Sequence, residues 1–357
     1  MKRIFRYITS AMAVAALGIT LTACDDWTDT ESIDLNYGTT DTADPEAYAK
    51  YTANLRAYRQ LPHTLVYAWV DNAAAGFGSQ AHRLTALPDS IDVIVLQNVT
   101  NLTDQMMEDM KQVREVKGMQ IIYCIDYAAI KADWTLKCEE LAAKRLAFVA
   151  ENGEDAEIPA ELQDPDFKEF MTQAWSDQLA YFNAGGFDGL MAAFDGKGTT
   201  YMSEEEKQEY YAQANLFMGI MNDWHKRNPG KVIDYFGTPE YTTDMAVAAD
   251  FRTMFISATA TATSANQLSL YLEGARTTVA VEKLGAAAYI HAIDTDADPK
   301  TGFYADGTAA IDGLTGWAPS HHLGAVGVFN IANDYYLTAG QYSSVRKLIQ
   351  AVNPVIK

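Results

Sequence analysis

Eight short apolar runs, each followed by polar or helix-patterned chain, leave this sequence few architectures. The runs are "LVYAWV" (65–70), "IDVIVLQNV" (91–99), "QIIYCIDY" (120–127), "FDGLMAAF" (187–194), "VIDYFG" (232–237), "FRTMFISA" (251–258), "AAAYIHAI" (286–293) and "GAVGVFNI" (324–331). Each is apolar almost throughout, rather than at every second residue, as expected of parallel strands covered on both faces. Helical signals lie between them. "TDQMMEDMKQVREVKG" offers Thr103 as N-cap and Gly118 just past its end. "DWTLKCEELAAKRLAFVAENG" has helical period, and "DPDFKEFMTQAWSDQLAYFNAGG" opens on Asp164 and Pro165 and stops at Gly185. "SEEEKQEYYAQANLFMGIMNDWHKR" places Ser203 three residues before Glu206, a capping-box pattern, with basic residues in its last turn. "TAGQYSSVRKLIQAVN" supplies the last helix. Eight such alternations predict an α/β chain forming a single (β/α)8 TIM barrel over residues 61–357. A doubly wound sheet is the competing arrangement, but no Gly-x-Gly-x-x-Gly opens any of the helices.

The first 60 residues have a different character. Lys2, Arg3 and Arg6 precede an apolar run from Ile8 to Leu21 that is too short for a good membrane span, and the run ends in Leu21-Thr22-Ala23-Cys24. Residues 1–23 therefore read as a lipoprotein signal peptide, with lipidation expected on Cys24; a plain secretory signal is the alternative. Such a chain is anchored to a membrane without crossing it. Residues 24–60 are polar and without sustained period, and read as the lipidated cysteine followed by a flexible tether and entry segment. Asp25 and Asp26 resemble the surface-export signal of Bacteroides-type lipoproteins, although in enterobacteria an aspartate there tends to retain a lipoprotein at the inner membrane. The expected location is the outer membrane, facing the cell exterior.

The formal charge is −20, and three of the 27 Lys and Arg residues lie in the leader, so the remainder is more acidic still. An acidic surface repels nucleic acid and anionic lipid and suits neutral ligands such as sugars, although solvated acidic faces are common. Cys124 sits in an apolar strand and reads as a buried thiol, and a bond between it and Cys138 stays open. His321 and His322 are adjacent, and chain neighbours rarely converge on one ion. No metal or cofactor is expected.

The fourth run carries a more specific pattern. In "GGFDGLMAAFDGKG" (185–198), Asp188-Gly189 follows a Gly-Gly turn, and the run ends in Phe194-Asp195. This resembles the fourth-strand signature of glycoside hydrolase family 18, the chitinase and endo-β-N-acetylglucosaminidase family, which reads Asp-Gly-x-Asp-x-Asp-x-Glu in outline. Met191 and Ala193 stand where the two internal aspartates belong, and Asp195 where the catalytic glutamate belongs. The resemblance covers roughly 60–357. It implies a route in which the substrate's acetamido oxygen is the nucleophile, an aspartate orients it, and a carboxylic acid protonates the leaving oxygen. Without the orienting carboxylate, and with the acid shortened by one methylene, the resemblance implies a barrel that binds glycan and no longer cleaves it.

Sugar contacts are expected where barrel strands end, at their C-terminal face. The candidates are Trp69, Asp71, Asn98, Asp126 and Tyr127 on the first three strands, and Phe194, Asp195 and Tyr235 on the next two. His291, Asp294, Asn330 and Asn333 follow on the last two. Aromatic faces stack on pyranose C–H groups, and Asp, Asn and His satisfy hydroxyls. Trp69 and Tyr235 equally fit packing between barrel and helices, His291 and Asp126 fit structural hydrogen bonding, and Asn330 and Asn333 fit caps of the last loop. Asp188, at the start of its strand, fits a structural role better than a ligand contact.

The resemblance implies a cell-surface lipoprotein that captures N-acetylglucosamine-containing glycans, N-glycans among them, beside an outer-membrane glycan transporter. The alternative is an active endo-β-N-acetylglucosaminidase or chitinase-like hydrolase using Asp195 as acid, with Asp126 or Asp294 replacing the missing aspartate. A structural barrel with no ligand is the third reading.

Overall fold

The eight runs form eight parallel strands that close on themselves in sequence order, β1 beside β2 and so on around to β8 beside β1. The computed structural model describes residues 44–72, 78–98, 102–242, 249–336 and 340–354. The strands are β1 Leu65–Val70, β2 Val93–Leu96, β3 Gln120–Asp126 and β4 Gly189–Phe194. β5 Val232–Gly237, β6 Met254–Ile256, β7 Leu284–Tyr289 and β8 Ala325–Phe329 complete the ring. The fold expectation of a (β/α)8 barrel holds. Two units are distinguished, Met1–Lys50 and Tyr51–Lys357, and the barrel lies wholly in the second.

Helix α1, Pro45–Tyr58, runs through the stretch expected to be an entry segment without period. The remaining helices follow strands. α2 is Asp104–Gln112, α3 Tyr127–Asn152, α4 Phe167–Gly185 and α5 Glu204–Arg227. α6 Ser257–Ala260 and α7 Ala265–Ala275 follow β6, α8 Ala310–Trp317 follows β7, and α9 Ile331–Asp334 and α10 Ser343–Val352 follow β8. Their ends obey local chemistry. Thr103 accepts from Met106 N at 3.2 Å, and Ser203 and Glu206 form both halves of a capping box. The α4 N-cap is Asp166, which accepts from Glu169 N, rather than Asp164, and Gly186 closes that helix in the left-handed region.

Successive strand residues point to opposite faces, so each run splits into two cores. Val66, Ala68, Ile94, Leu96, Leu190, Ala192, Ile233 and Tyr235 belong to the layer beneath the helices. Tyr67, Trp69, Val93, Val95, Ile122, Met191, Phe255 and Phe329 fill the barrel itself. Trp69 lies stacked on Phe329 at 4.3 Å and edge-on to Phe255 at 4.9 Å. A Cβ on Gly327 would come within 2.3 Å of the Trp69 ring, so that glycine is what lets the indole lie across the barrel.

Polar groups pin the end opposite the mouth. Asp234 is fully buried and accepts from Arg252 Nη2 at 2.5 Å, Arg252 Nε at 3.1 Å, Tyr67 Oη at 2.9 Å and Thr253 N at 3.2 Å. Asp92 accepts from Arg59 at 2.6 Å and from Val66 N at 2.9 Å, and His63 approaches it at 3.1 Å. Asp188 accepts from Arg114 Nε at 3.0 Å and Ile121 N at 2.8 Å. Its carboxylate thus ties β4 to β3 and to the turn before it. Cys124 and Cys138 are both free thiols. No helix among the described residues is long and apolar enough to cross a membrane.

Candidate functional site

The C-terminal ends of the strands form the mouth. On β4 the inward positions, counted by two, are Met191, Ala193 and then Asp195 just beyond the strand. Met191 is fully buried in the barrel core and Ala193 is 9% exposed, whereas Asp195 is exposed. Register sets Ala193 beside Asp126 on β3 and beside Phe236 on β5. Below this rim the rings form a floor: Tyr289 stacks on Phe329 at 4.7 Å, and Phe236 meets both Phe329 and Trp69 edge-on at 5.4 and 5.8 Å.

The rim itself holds two carboxylates. Asp195 accepts a hydrogen bond from the Ser257 hydroxyl at the end of β6. Asp126 caps α3, accepting from Ala128 N at 2.7 Å. Burial of its carboxyl against the mouth, and to a lesser degree the charge of Asp195, hold Asp126 above the usual carboxylate range, although the bonds from Ala128 and Ala129 oppose this. Its side chain is exposed at the rim, so water screens part of that push. Burial, with the Asp126 charge second, pushes the neighbouring Cys124 thiol far above its ordinary value and keeps it protonated.

Two clefts flank the mouth. One of about 590 Å³ lies over the ends of β1 and β8, beside the start of α2, and is lined by Asp71, Asn72, Asn330, Asn333 and Trp69. The other, about 820 Å³, lies between α3 and α5 and is lined by Tyr127, Phe194, Asp195, Tyr210 and Gln213. The structure therefore distributes the expected residues rather than gathering them in one pocket.

Several stand apart from their expected roles. Tyr235 is fully buried on the outward face of β5, where its hydroxyl donates to Phe194 O at 2.7 Å; Phe236 is the residue facing the mouth. Phe194 is 2% exposed and also points outward, packing against Tyr127 and Phe217 and reaching only the wall of the second cleft. Trp69 is 2% exposed beneath Phe329, so its face is covered and offers no platform. Asp294 sits in an exposed turn, accepting from Asp296 N and Ala297 N at 3.1 Å each, and serves that turn.

The other candidates lie at or near the mouth. His291 stacks on Phe303 at 4.9 Å, and its carbonyl accepts from Asn333 Nδ2 at 3.0 Å. Asn98 is half-buried, its N–H donating to Asn72 Oδ1 at 2.8 Å. Asn330 is exposed in the left-handed region, φ 55°, and turns the chain sharply after β8. Tyr127 donates to Gln213 Oε1 at 2.8 Å, and burial pushes its hydroxyl up to about 12, so it remains a neutral donor. Cys24 lies outside the described residues. Sequence reasoning missed Phe236, Tyr289, Cys124, Ser257, Tyr210 and Gln213. Counting by two back from Asp195 and across the strand register would have found the first three.

Among the described residues no group of three His, Cys, Asp or Glu side chains is placed to hold a metal ion. What the rim offers is a carboxyl whose pKa burial raises, beside a hydroxyl-bonded carboxylate, above an aromatic floor. Such a set can accept and donate hydrogen bonds to a polyhydroxyl ligand.

Residues 28–351 match the model of the family described as glycoside hydrolase family 18, BT1044-like. Among solved structures, a selenomethionine variant of BT1044 is 16% identical, with a TM-score of 0.57 over 88% of this chain and 95% of that one. An endo-β-N-acetylglucosaminidase from Cordyceps militaris is 13% identical, with a TM-score of 0.55 over 85% of this chain and 96% of that one. A double mutant of the Cordyceps enzyme in complex with fucosyl-N-acetylglucosamine-Asn gives 12% and 0.54, over 85% of this chain and 95% of that one. No curated protein matches the chain.

Proposed function

Because the chain belongs to the BT1044-like branch of glycoside hydrolase family 18, we propose that it binds N-acetylglucosamine-containing glycans at the barrel mouth without cleaving them by the family route. One observation carries this reading. The inward positions of β4 and its end hold Met191 in the core, Ala193 at the mouth and Asp195 on the rim, so the strand itself supplies no carboxylate between the core and the rim. Substrate assistance needs a carboxylate that aligns the acetamido oxygen as it attacks, and the Ala193 methyl cannot do so. Asp195 is one methylene shorter than glutamate. A shortfall of about 1 Å in the acid costs on the order of 100-fold, and the two defects fall on one concerted step. The ligand class is supported by the Cordyceps relative, whose complex holds fucosyl-N-acetylglucosamine-Asn.

From the leader sequence we infer that this activity works at the cell surface. Lipidated Cys24 and the acidic polar segment after it would hold the barrel outside the outer membrane, where captured glycan passes to a transporter and a separate hydrolase. Replacing Cys24 with Ala should move the protein from the membrane to the soluble fraction.

A second reading has support from Asp126. A carboxyl with a raised pKa beside the Asp195 carboxylate is the kind of pairing an acid and its partner need, and would permit slow hydrolysis by a different route. Asp294 is spent on its own turn and takes no part in it. Calorimetry with N-glycans and chitooligosaccharides, followed by long incubation and product analysis, separates the readings. Binding without product supports capture; product that disappears in Asp195→Ala overturns it.

A further inference from the structure

The larger of the two clefts is off the barrel axis, between α3 and the start of α5, and nothing in the family's catalytic motif accounts for it. At about 820 Å³ it falls in the range of about 300–1,000 Å³ typical of small-ligand sites. Asp195 belongs both to the mouth and to this cleft, so a ligand leaving the mouth at β4 enters it directly.

We propose that this cleft is a second contact zone for the glycan, and that it selects neutral oligosaccharide arms over sialylated ones; the proposal rests on the glycan-binding reading above. Its inner wall is aromatic. Phe194 meets the Tyr127 ring at 5.1 Å and the Tyr210 ring at 6.4 Å, and Tyr210 is only partly covered, so aromatic surface of the kind that packs on pyranose C–H groups lines the cleft. Its polar centre is fixed in advance. Gln213 Oε1 accepts from Tyr127 Oη at 2.8 Å and Lys131 Nζ at 3.2 Å, while Nε2 donates to Glu209 at 2.9 Å. That locks the amide orientation and leaves its second N–H for a sugar hydroxyl.

Charge decides the class of sugar. Four acids line the cleft, Asp195, Glu139, Glu206 and Glu209, against two cations. Both cations are engaged: Lys131 lies 4.2 Å from the Phe167 ring centre and 4.9 Å from that of Trp134, and Lys197 lies 5.7 Å from that of Tyr210. A sialic acid carboxylate would therefore meet an excess of four acids over two cations, the cations already set against rings, a repulsive element that discriminates without any new contact.

Isothermal calorimetry on the full chain, with an asialo biantennary N-glycan and the same glycan carrying its sialic acids, tests this. The asialo form should bind at least 10-fold tighter. Ala132→Trp puts an indole into the cleft from an exposed α3 position, and Gln213→Ala removes the fixed amide. Each should weaken asialo binding about 10-fold or more, while binding of chitobiose, which the reading above assigns to the mouth, stays within twofold. Unchanged melting temperatures show that the variants fold. Asialo affinity within twofold of wild type in both variants would overturn the cleft assignment, and equal affinity for the sialylated glycan would overturn the selectivity. A wild-type protein that binds neither glycan nor chitobiose would instead sink the glycan-capture reading itself.

Discussion

Replacing Gly327 with Ala tests the ring floor beneath the mouth. The new methyl would lie 2.3 Å from Trp69 Cζ3 and 2.9 Å from Phe255 Cε1, where carbon atoms rest at about 3.5–4.0 Å. Relief requires the indole to move by more than about 1 Å. It has nowhere to go, being stacked on Phe329 at 4.3 Å and hemmed in edge-on by Phe255 at 4.9 Å and Phe236 at 5.8 Å. Overpacking of this kind costs about 1–3 kcal/mol, and the closed surroundings place this site near the top of that range. At about 2–4 °C per kcal/mol for a large domain, the melting temperature should fall by about 5–10 °C. Urea denaturation followed by tryptophan fluorescence gives the free energy, and calorimetry gives the midpoint. Trp69→Phe removes the benzo ring that the methyl strikes, so in the double variant the two losses should be less than additive by about 1 kcal/mol or more. Additive losses, or a Gly327→Ala variant within about 0.5 kcal/mol of wild type, would refute the contact.

Asp234→Asn breaks a buried pair while keeping its shape; because Arg252 is partly exposed, the loss belongs at the lower end of the usual range, about 3 kcal/mol by denaturation. Asp126→Asn keeps the cap on Ala128 and removes a charge that the fold disfavours. An acid with a raised pKa in the folded state loses stability as pH rises from the ordinary carboxylate range through the raised value, so the variant should melt higher than wild type at pH 7, with the gap shrinking as pH drops. A gap that widens in acid would refute it. Ser203→Ala removes the capping box of α5 and should cost about 1 kcal/mol, read by thermal melts.

How much of this was legible in the sequence depends on the kind of signal. β1 and β5 occupy the very residues their apolar runs marked, 65–70 and 232–237. β6 shrinks to Met254–Ile256, because Arg252 and Thr253 at the start of its run serve the Asp234 network. β7 begins at Leu284 and ends at Tyr289, because apolar chain continues past it into the mouth. The facing of each side chain was harder. In strands apolar on both faces, no alternation tells inside from outside, so Tyr235 and Phe194 were placed in the mouth when they lie under the helices. The degenerate motif could be read, since Met191, Ala193 and Asp195 share one parity. The cleft at Gln213 could not, because it joins the third helix to the fifth, 82 residues apart between Lys131 and Gln213.

The ring floor also bears on how freely the rim can change. Stability here rests on Trp69, Phe255 and Phe329 and on the Asp234 network at the far end, while Asp126 and Asp195 stand exposed above them. An aspartate at position 193 would add a third acid to that pair, crowding like charges at a site only 9% exposed. Alanine at that position avoids the repulsion and fits the 9% exposed site. The rim residues can therefore be exchanged with little effect on the packing of the scaffold beneath them.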